Sequence, residues 1–290
     1  MKGKRFFKSL AALSMAAVIV FMLFGCANEA IESVEKRSLL TVNLLDIGKA
    51  DASVVISEGH AMIIDTGERN DGEKIVKMLK KHNINKIDAI VITHFDKDHV
   101  GGAAFILNSM PVGVVYAPDY RGLNDEYEDF IQAVEASKTQ LESLTNTASF
   151  NFVDASVTIE PPKSYEIINE NEEYDNNFSL ITTLVHGENR FVFMGDAQKE
   201  RIDEWLESEN AVEADFLKVP HHGIYEKALR DLLEAVKPKI SVICSSQKHP
   251  AQTKTLDLLK SVSEYVLETK DGTVIVKSDM RGLEVFQKPN

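Results

Sequence analysis

The chain has 290 residues, enough for one large domain or two modest ones, and its 44% hydrophobic and 27% charged residues are ordinary for a globular protein. The formal net charge of −13 argues against broad adhesion to nucleic acid or to anionic lipid headgroups. Of the 2 cysteines, Cys26 lies near the N-terminus and Cys244 in an apolar run, so no disulfide is predicted and Cys244 reads as a small buried hydrophobe.

The first residues form a segment of their own. A basic stretch over residues 2–8 precedes an uncharged apolar run over residues 10–24, which is short for a membrane span and has the layout of a secretory signal. The sequence before Cys26 resembles the bacterial lipoprotein cleavage signal. This resemblance implies a signal peptide over residues 1–25, a polar tether over residues 26–38, and lipid on Cys26 that anchors the protein to the cell membrane on the extracellular face of a bacterium. A cleaved signal without lipid, or a short N-terminal anchor, is the alternative.

Beyond the tether, strand-like runs alternate with helical patterns, which predicts an α/β fold. The predicted strands cover residues 40–48, 52–57, 60–67, 87–93, 112–118, 179–185, 190–196, 215–220, 239–246, 264–269 and 273–278, with irregular strands before residue 168. The predicted helices cover residues 73–83, 101–110, 127–136, 198–209, 225–237 and 256–259. The turns "SEGH" and "HGEN" predict hairpins, and the last two strands are predicted to pair across "KDG". Since no linker interrupts residues 39–290, one domain is predicted there.

Potential metal ligands repeatedly follow apolar strands. The densest group lies in "THFDKDHVGG", residues 93–102, directly after the continuous apolar run over residues 87–93. The ends of such strands gather along one edge of a sheet, where open α/β folds place their sites, so these side chains are expected to form one site. The residues concerned are Asp46, Asp65, His94, Asp96, Asp98, His99, Asp196, His221 and His222.

The loop "H-x-D-x-D-H-x-G-G" and five further segments resemble the metallo-β-lactamase superfamily of hydrolases. The segments are, in order, "LLDIGKADASVVI", "IIDTG", "NNFSL", "FMGDA" and "LKVPHHG". This order is similar to one branch, the hydrolase domain of the competence protein ComEC and its free-standing relatives, from about residue 39 to residue 279. The resemblance implies a metallo-β-lactamase-type αββα four-layer sandwich, in a single domain over residues 39–290, with two divalent metal ions, Zn or Mn.

The resemblance also implies a set of metal ligands. The first metal site would consist of His94, Asp96 and the weak donor Asn177, the second of Asp98, His99 and His222, with Asp196 bridging both ions. His221 is the alternative to His222 as a ligand, and otherwise a hydrogen-bonding group beside the site. The first site is rich in oxygen donors, which favours manganese or similar ions over zinc.

Three residues are assigned to catalysis on the same resemblance. Asp98 is expected to orient the attacking water as well as to bind metal, His249 in "SSQKHP" to protonate the leaving group, and His221 to hydrogen-bond near the site. Lys49 departs from the branch, whose corresponding segment reads "DVGQGDA". Three further aspartates are predicted to stabilise the loops and orient the ligands rather than to bind metal: Asp46, Asp51 and Asp65.

These assignments imply a membrane-anchored extracellular metal-dependent hydrolase, a phosphodiesterase or nuclease-like enzyme that uses a water activated by two metal ions. DNA ranks first as the substrate because ComEC-like domains are associated with nuclease action. Cleavage of the signal, which carries four basic and no acidic residues, leaves a charge of −17, and this charge opposes binding of a long nucleic acid.

Two alternatives to that function stay open on the sequence. One is an esterase of cell-envelope phosphodiesters, such as choline phosphate on teichoic acid, and the other is a non-catalytic envelope-binding lipoprotein on the same scaffold. Opening of lactones or β-lactams is less favoured, because those branches usually keep a histidine at the position of Asp96. No protein partner is implied.

Overall fold

The computed structural model describes residues 38–166 and 174–289, and these residues fall within one compact unit. The predicted signal peptide over residues 1–25, the lipid-bearing Cys26 and nearly all of the predicted tether lie outside the described residues. Within the part of the chain that is described, no helix is both long and apolar enough to span a membrane.

The described residues form fifteen strands, eight α-helices and two 3-10 turns. The strands are β1 (Leu40–Leu44), β2 (Ser53–Ser57), β3 (His60–Ile64), β4 (Ile87–Val91), β5 (Val112–Pro118), β6 (Gln140–Leu144), β7 (Ala148–Phe152), β8 (Ala155–Glu160), β9 (Ile181–His186), β10 (Asn189–Phe193), β11 (Phe216–Lys218), β12 (Ile240–Ile243), β13 (Tyr265–Glu268), β14 (Thr273–Ser278) and β15 (Leu283–Lys288). The helices are α1 (Asp71–Lys81), α2 (Lys97–Val100), α3 (Ala103–Ser109), α4 (Asp125–Ser137), α5 (Tyr174–Asn177), α6 (Lys199–Leu206), α7 (Leu229–Val236) and α8 (Thr253–Lys260). The 3-10 turns are His221–Gly223 and Thr269–Asp271.

The strands form two sheets. The first has the order β15-β14-β1-β2-β3-β4-β5-β6, and the second has the order β13-β12-β11-β10-β9-β8-β7. Strands β3 to β6 run parallel in the first sheet, and strands β10 to β13 run parallel in the second. The carboxyl ends of these parallel strands define the edge of each sheet at which a site is expected.

Apolar cores hold the layers together. Val91 of β4 and Phe193 of β10 belong to the core between the two sheets. Ile90 of β4 belongs to the core shared with α1, α3 and α4, and Val192 of β10 packs in a third core with Trp205 of α6. Neighbouring residues of one strand thus enter different cores, since successive side chains point to opposite faces. Both faces of each sheet are covered, and the predicted αββα four-layer sandwich is confirmed.

The two hairpins predicted from turn residues are confirmed. β2 and β3 pair across Glu58 and Gly59, whose φ angles of 46° and 84° are those of two-residue turns that match the twist of the strands. β9 and β10 pair antiparallel across the second turn. The helix expected over residues 225–237 begins only at Leu229.

The pairing predicted for the strands on either side of "KDG" is wrong. β13 pairs in parallel with β12 in the second sheet, whereas β14 lies between β1 and β15 in the first. The chain crosses from one sheet to the other through Thr269–Asp271 and Gly272, which has a φ of 124° and a ψ of 162°. Both runs alternate like half-buried strands, so the local pattern does not determine which sheet each one joins.

Gly272→Ala is expected to lower the free energy of unfolding by about 3 kcal/mol, because two penalties add at this position. Its backbone conformation is one that only glycine adopts readily, and an added Cβ would clash with the carbonyl oxygen of Lys288. The matched control is Gly59→Ala, whose Cβ would meet nothing within 4 Å and which is expected to cost about 1 kcal/mol. Urea denaturation measures both variants, and equal losses would contradict the crossover at Gly272.

Candidate metal centre

The loop after β4 packs closely against the loop that follows β3. His94 precedes α2, and α2 itself carries Asp98 and His99. The backbone N–H of Thr66 donates to the carbonyl oxygen of His99 at 2.7 Å. A Cβ at Gly102 would clash with the carbonyl oxygen of Thr66, so the glycines that end the motif permit this close approach.

The second sheet contributes two further side chains. Asp196 follows β10 after a tight turn at Gly195, whose φ is 55°, and its backbone N–H donates to Ser179 Oγ at 3.1 Å. His222 follows β11 in the 3-10 turn and has a φ of 50°. Because β10 and β11 are parallel neighbours, their carboxyl ends bring Asp196 and His222 together.

Side chains from both sheets converge on one buried cluster. His222 Nε2 lies 2.9 Å from Asp196 Oδ2 and 3.5 Å from Asp98 Oδ2, and His99 Nε2 lies 3.4 Å from the same oxygen of Asp196. Four overlapping groups have ligand atoms within 4.8 Å of one another, and two of them consist of predicted ligands only: His94, His99 and Asp196, and Asp98, His99 and His222. The other two groups include Asp51. This overlap fits two cations held by adjacent ligands.

Asp65 and Thr93 fix the rings of His94 and His99. Asp65 Oδ2 accepts a hydrogen bond from Thr93 Oγ1 at 2.7 Å and lies 2.8 Å from His99 Nδ1. Because the Thr93 hydroxyl donates its hydrogen to Asp65, its oxygen accepts from His94 Nδ1, 3.0 Å away. Both histidines therefore carry a hydrogen on Nδ1, and Nε2 of each faces the cluster, where the neutral form of the ring could bind a cation.

The ring of His222 is held by the carbonyl oxygen of Cys244, which accepts from Nδ1 at 3.1 Å. The Nε2 atoms of His94, His99 and His222, together with Oδ1 of Asp196, are buried and make no well-aligned hydrogen bond among the described residues, although His99 and His222 lie within ion-pair distance of Asp196. Buried polar atoms without a partner are rare and costly, and imidazole nitrogen and carboxylate oxygen are ligands of divalent metal ions. The residues present therefore fit the ions that the motif implies.

The electrostatics of the cluster favour a positive charge at its centre. Burial would lower the pKa of His99, but Asp196 and Asp65 raise it well above its usual range. Burial also acts against protonation of His222, whose pKa is nevertheless raised to about 9 by Asp196. Burial would raise the pKa of Asp196, but His222 and His99 hold it well below its usual range. Carboxylates that stabilise charged imidazoles would stabilise a bound cation in the same way.

Lys218 is a buried ammonium in the same cluster. It donates to the carbonyl oxygen of Gly195 at 2.8 Å, contacts the carboxylate of Asp51 and lies 3.5 Å from Asp196 Oδ1. Although burial opposes the shift, these two carboxylates raise the pKa of Lys218. The carboxylates in or beside the cluster are those of Asp51, Asp65, Asp96, Asp98 and Asp196. The lysines paired with them in the described residues are Lys218 and, at the rim, Lys49 beside Asp98, so carboxylates outnumber ammonium groups here and divalent cations would offset the excess.

The predicted ligands that lie together in the cluster are His94, Asp98, His99, Asp196 and His222. Asp96 lies at the rim, with Oδ2 3.6 Å from His94 Nε2 and 42% of its side chain exposed. The imidazole of His221 lies beside that of His222, but His221 Nδ1 is 3.1 Å from Glu226 Oε1. Of the two adjacent histidines, the structure therefore directs His222 into the cluster.

Two other predicted site residues make their described contacts elsewhere. Asn177 Oδ1 accepts from the Arg201 backbone N–H at 3.3 Å, and Asn177 Nδ2 lies 3.5 Å from Glu200 Oε2, so the amide faces the start of α6. His249 lies in an exposed turn in which its backbone N–H donates to Ser246 Oγ at 3.1 Å. Neither residue has a side-chain contact with the cluster within the described ranges.

Sequence reasoning missed Asp175, which lies close to Asp96 at the rim. Burial and the negative charge of Asp96 raise the pKa of Asp175 to about 6, while His94 acts in the opposite direction. Asp175 precedes Asn177 by two residues, and the backbone N–H of Leu180 ties this segment to the residue before His94 at 2.9 Å. A search for any acidic side chain near "NNFSL" would have found it.

Comparison with known proteins identifies a family whose fold agrees with the two-sheet architecture described above. The sequence model of the metallo-beta-lactamase superfamily matches residues 45–173 and 176–247, well over half of the chain. ComE operon protein 3 of Bacillus subtilis is 27% identical over 257 residues, which are 80% of this chain and 32% of that protein. Recombination protein 2 of Haemophilus influenzae is 23% identical over 229 residues, which are 77% of this chain and 26% of that protein.

The chain thus spans about a third or less of the length of these two curated relatives. Among solved structures, the metallo-beta-lactamase fold protein YhfI from Bacillus subtilis matches with a TM-score of 0.58 at 11% identity, over 83% of this chain and 100% of YhfI. At that identity the likeness concerns the fold. Together with the order of the motifs, these matches show that the chain belongs to the metallo-β-lactamase superfamily, in its ComEC-like branch.

Proposed function

We propose that this protein is a metal-dependent phosphodiesterase that acts on the extracellular face of a bacterial membrane, to which lipid on Cys26 anchors it. The observation that carries the proposal is the convergence of three buried histidine Nε2 atoms, those of His94, His99 and His222, with the carboxylates of Asp98 and Asp196. Two divalent cations held there would lower the pKa of a bound water, so that hydroxide is available as the nucleophile near neutral pH. They would also supply positive charge that polarises the substrate oxygen.

The side chains of the centre have separate tasks in this proposal. Asp65 and the Cys244 carbonyl oxygen keep the rings of His99 and His222 in the orientation that ligation needs. Asp98 is buried but for 13% of its side chain, so one carboxylate oxygen remains available to orient the attacking water. For the leaving-group proton, His249 stays the predicted donor.

Two observations support a phosphodiester as the substrate: the oxygen ligands at the rim of the metal centre and the relatives of the chain. Oxygen donors dominate the rim, where Asp96 and Asp175 lie, and such ligands favour Mn²⁺-like ions that also bind phosphate oxygens. One relative is named Recombination protein 2, and genetic recombination in general is a reaction of DNA. DNA therefore ranks first, as a short strand rather than a long one, because the charge of the chain opposes a long polyanion.

A second candidate substrate is a phosphodiester of the cell envelope, such as a choline phosphate ester. The observation in its favour is the strongly acidic composition, with 45 acidic against 32 basic residues. Such a composition repels a polyanion but has much less effect on a small zwitterionic group. Anchoring on the outer face would bring the centre to that substrate.

The test uses the full chain, purified in detergent. Elemental analysis is expected to find about two divalent ions per chain, and mass spectrometry to find acyl chains on Cys26. With manganese or zinc added, we expect hydrolysis of bis-p-nitrophenyl phosphate and of a short single-stranded DNA. Turnover of the model diester and of a choline phosphate ester, but not of DNA, would favour the envelope substrate. A metal-loaded protein that hydrolyses no phosphoester would overturn the proposed function in favour of a binding lipoprotein, and an unmodified Cys26 would remove the anchor.

A further inference from the structure

Lys49 occupies the rim of the metal centre in the loop between β1 and β2. Its Nζ atom lies 3.4 Å from Asp98 Oδ2, and 40% of its side chain is exposed. Gly48 turns the chain at a φ of 89°, and two residues after Lys49 the backbone N–H of Asp51 donates to the carbonyl oxygen of Asp98 at 3.0 Å. The loop that carries Lys49 is therefore fixed against α2.

Lys49 and Lys218 differ in what metal binding would do to them. Lys218 is 3% exposed and, besides its contact with Asp51, donates to the carbonyl oxygen of Gly195 at 2.8 Å, so it keeps a partner when the carboxylates of the cluster hold cations. The described ion-pair partner of Lys49 is Asp98, a predicted ligand. If Asp98 held a cation, its carboxylate would no longer fully compensate the Lys49 ammonium, and an anion bound beside Lys49 would be favoured.

We propose that Lys49 is a specificity-determining residue that binds a non-bridging oxygen of the substrate phosphate. The exposed ammonium can leave Asp98 at little cost, since partly exposed ion pairs contribute about 1 kcal/mol or less. A hydrogen bond between an ammonium and a phosphate oxygen is of the stronger, charge-assisted kind. The site then selects substrates that carry negative charge next to the scissile bond. The substrate chemistry rests on the proposed function, whereas anion binding by Lys49 does not.

The chain itself supplies suitable variants. Lys49→Gln introduces the residue of the segment "DVGQGDA" that the loop otherwise resembles, and Lys49→Arg keeps the charge. Because the Lys49 side chain is 40% exposed and lies outside the apolar cores, neither change is expected to disturb folding or metal content. The matched control is Lys77→Gln, which removes a lysine paired with Glu73 on the surface of α1 at 2.8 Å.

Calorimetric titration of the metal-loaded full chain with inorganic phosphate at low salt tests the proposal. Lys49→Gln is expected to bind phosphate about tenfold more weakly than the wild type, and Lys49→Arg and Lys77→Gln about equally to it. With bis-p-nitrophenyl phosphate, Lys49→Gln is expected to raise KM about tenfold with little change in kcat, because the contact is present in both ground and transition states.

Equal phosphate affinity in the wild type and in Lys49→Gln would overturn the proposal, as would a metal-loaded wild type that binds no phosphate. A wild type that binds phosphate through Lys49 but hydrolyses no phosphoester would support anion binding by Lys49 and overturn the phosphodiesterase function. The reverse result, turnover of the diester with an unchanged KM in Lys49→Gln, would keep the function and remove Lys49 from substrate binding.

Discussion

Replacing Asp196 by asparagine is expected to lower kcat/KM for bis-p-nitrophenyl phosphate by about a thousandfold, which corresponds to about 4 kcal/mol of transition-state stabilisation. Asp196 Oδ2 lies 2.9 Å from His222 Nε2 and 3.4 Å from His99 Nε2, so its carboxylate stands between the two groups of ligands. Asparagine keeps the shape of the side chain but removes the negative charge, and an amide cannot bridge two cations. The measured metal content is expected to fall from about two ions per chain to about one.

The control for this variant is Asp271→Asn. Asp271 lies in the 3-10 turn Thr269–Asp271 and its carboxylate contacts Lys270 at 2.6 Å on the surface, so the same chemical change leaves the cluster intact. Circular dichroism is expected to show the same secondary structure in both variants. An Asp196→Asn protein that keeps two ions and wild-type turnover would rule out the bridging position of Asp196.

Removing the metal ions with a chelator is expected to lower the melting temperature by roughly 5–10 °C. A ligand present at a hundredfold excess over its dissociation constant stabilises the native state by about 2.7 kcal/mol, and a domain of this size loses about 2–4 °C for each kcal/mol. The physical reason is that ligands from both sheets converge only in the folded protein, so the ions bind the native state and not the unfolded chain. Without cations, protonated His99 and His222 offset only part of the carboxylate charge.

Differential scanning calorimetry with and without a chelator gives this shift directly, and added manganese or zinc should reverse it. Asp196→Asn is the informative comparison, because a variant that binds fewer ions has less stability to lose. A melting temperature that does not respond to the chelator, in wild-type protein shown to contain metal beforehand, would contradict a cation-filled centre.

Most of the fold and much of the site could be predicted from local patterns. Apolar runs bounded by turn residues identified the strands, and the hairpin at Glu58 and Gly59 follows from local turn chemistry. The motif "THFDKDHVGG" carries its potential metal ligands within six residues, so a metal site could be predicted there without knowledge of distant contacts. The separation of β13 from β14 was not predictable in this way, since two alternating strands that are close in sequence normally pair.

The rim of the site was harder to predict, for a different reason. Asn177 was chosen by its position in a motif, and α5 directs its amide toward the start of α6, while Asp175 of the same helix is close enough to Asp96 to be affected by its charge. Which side chain of a short helix faces a site depends on packing, not on the order of residues. Lys218 did leave a local signal, because a single lysine inside the apolar strand "DFLKVP" requires a buried anionic partner.

The position of β14 in the first sheet affects how the protein is made. β1 is hydrogen-bonded to β2 on one side and to β14 on the other, so this early strand stays half-paired until residues 273–278 have been synthesised. Pairings between such distant parts of a chain form slowly. Completion of the first sheet by β14 is therefore expected to be a late step of folding.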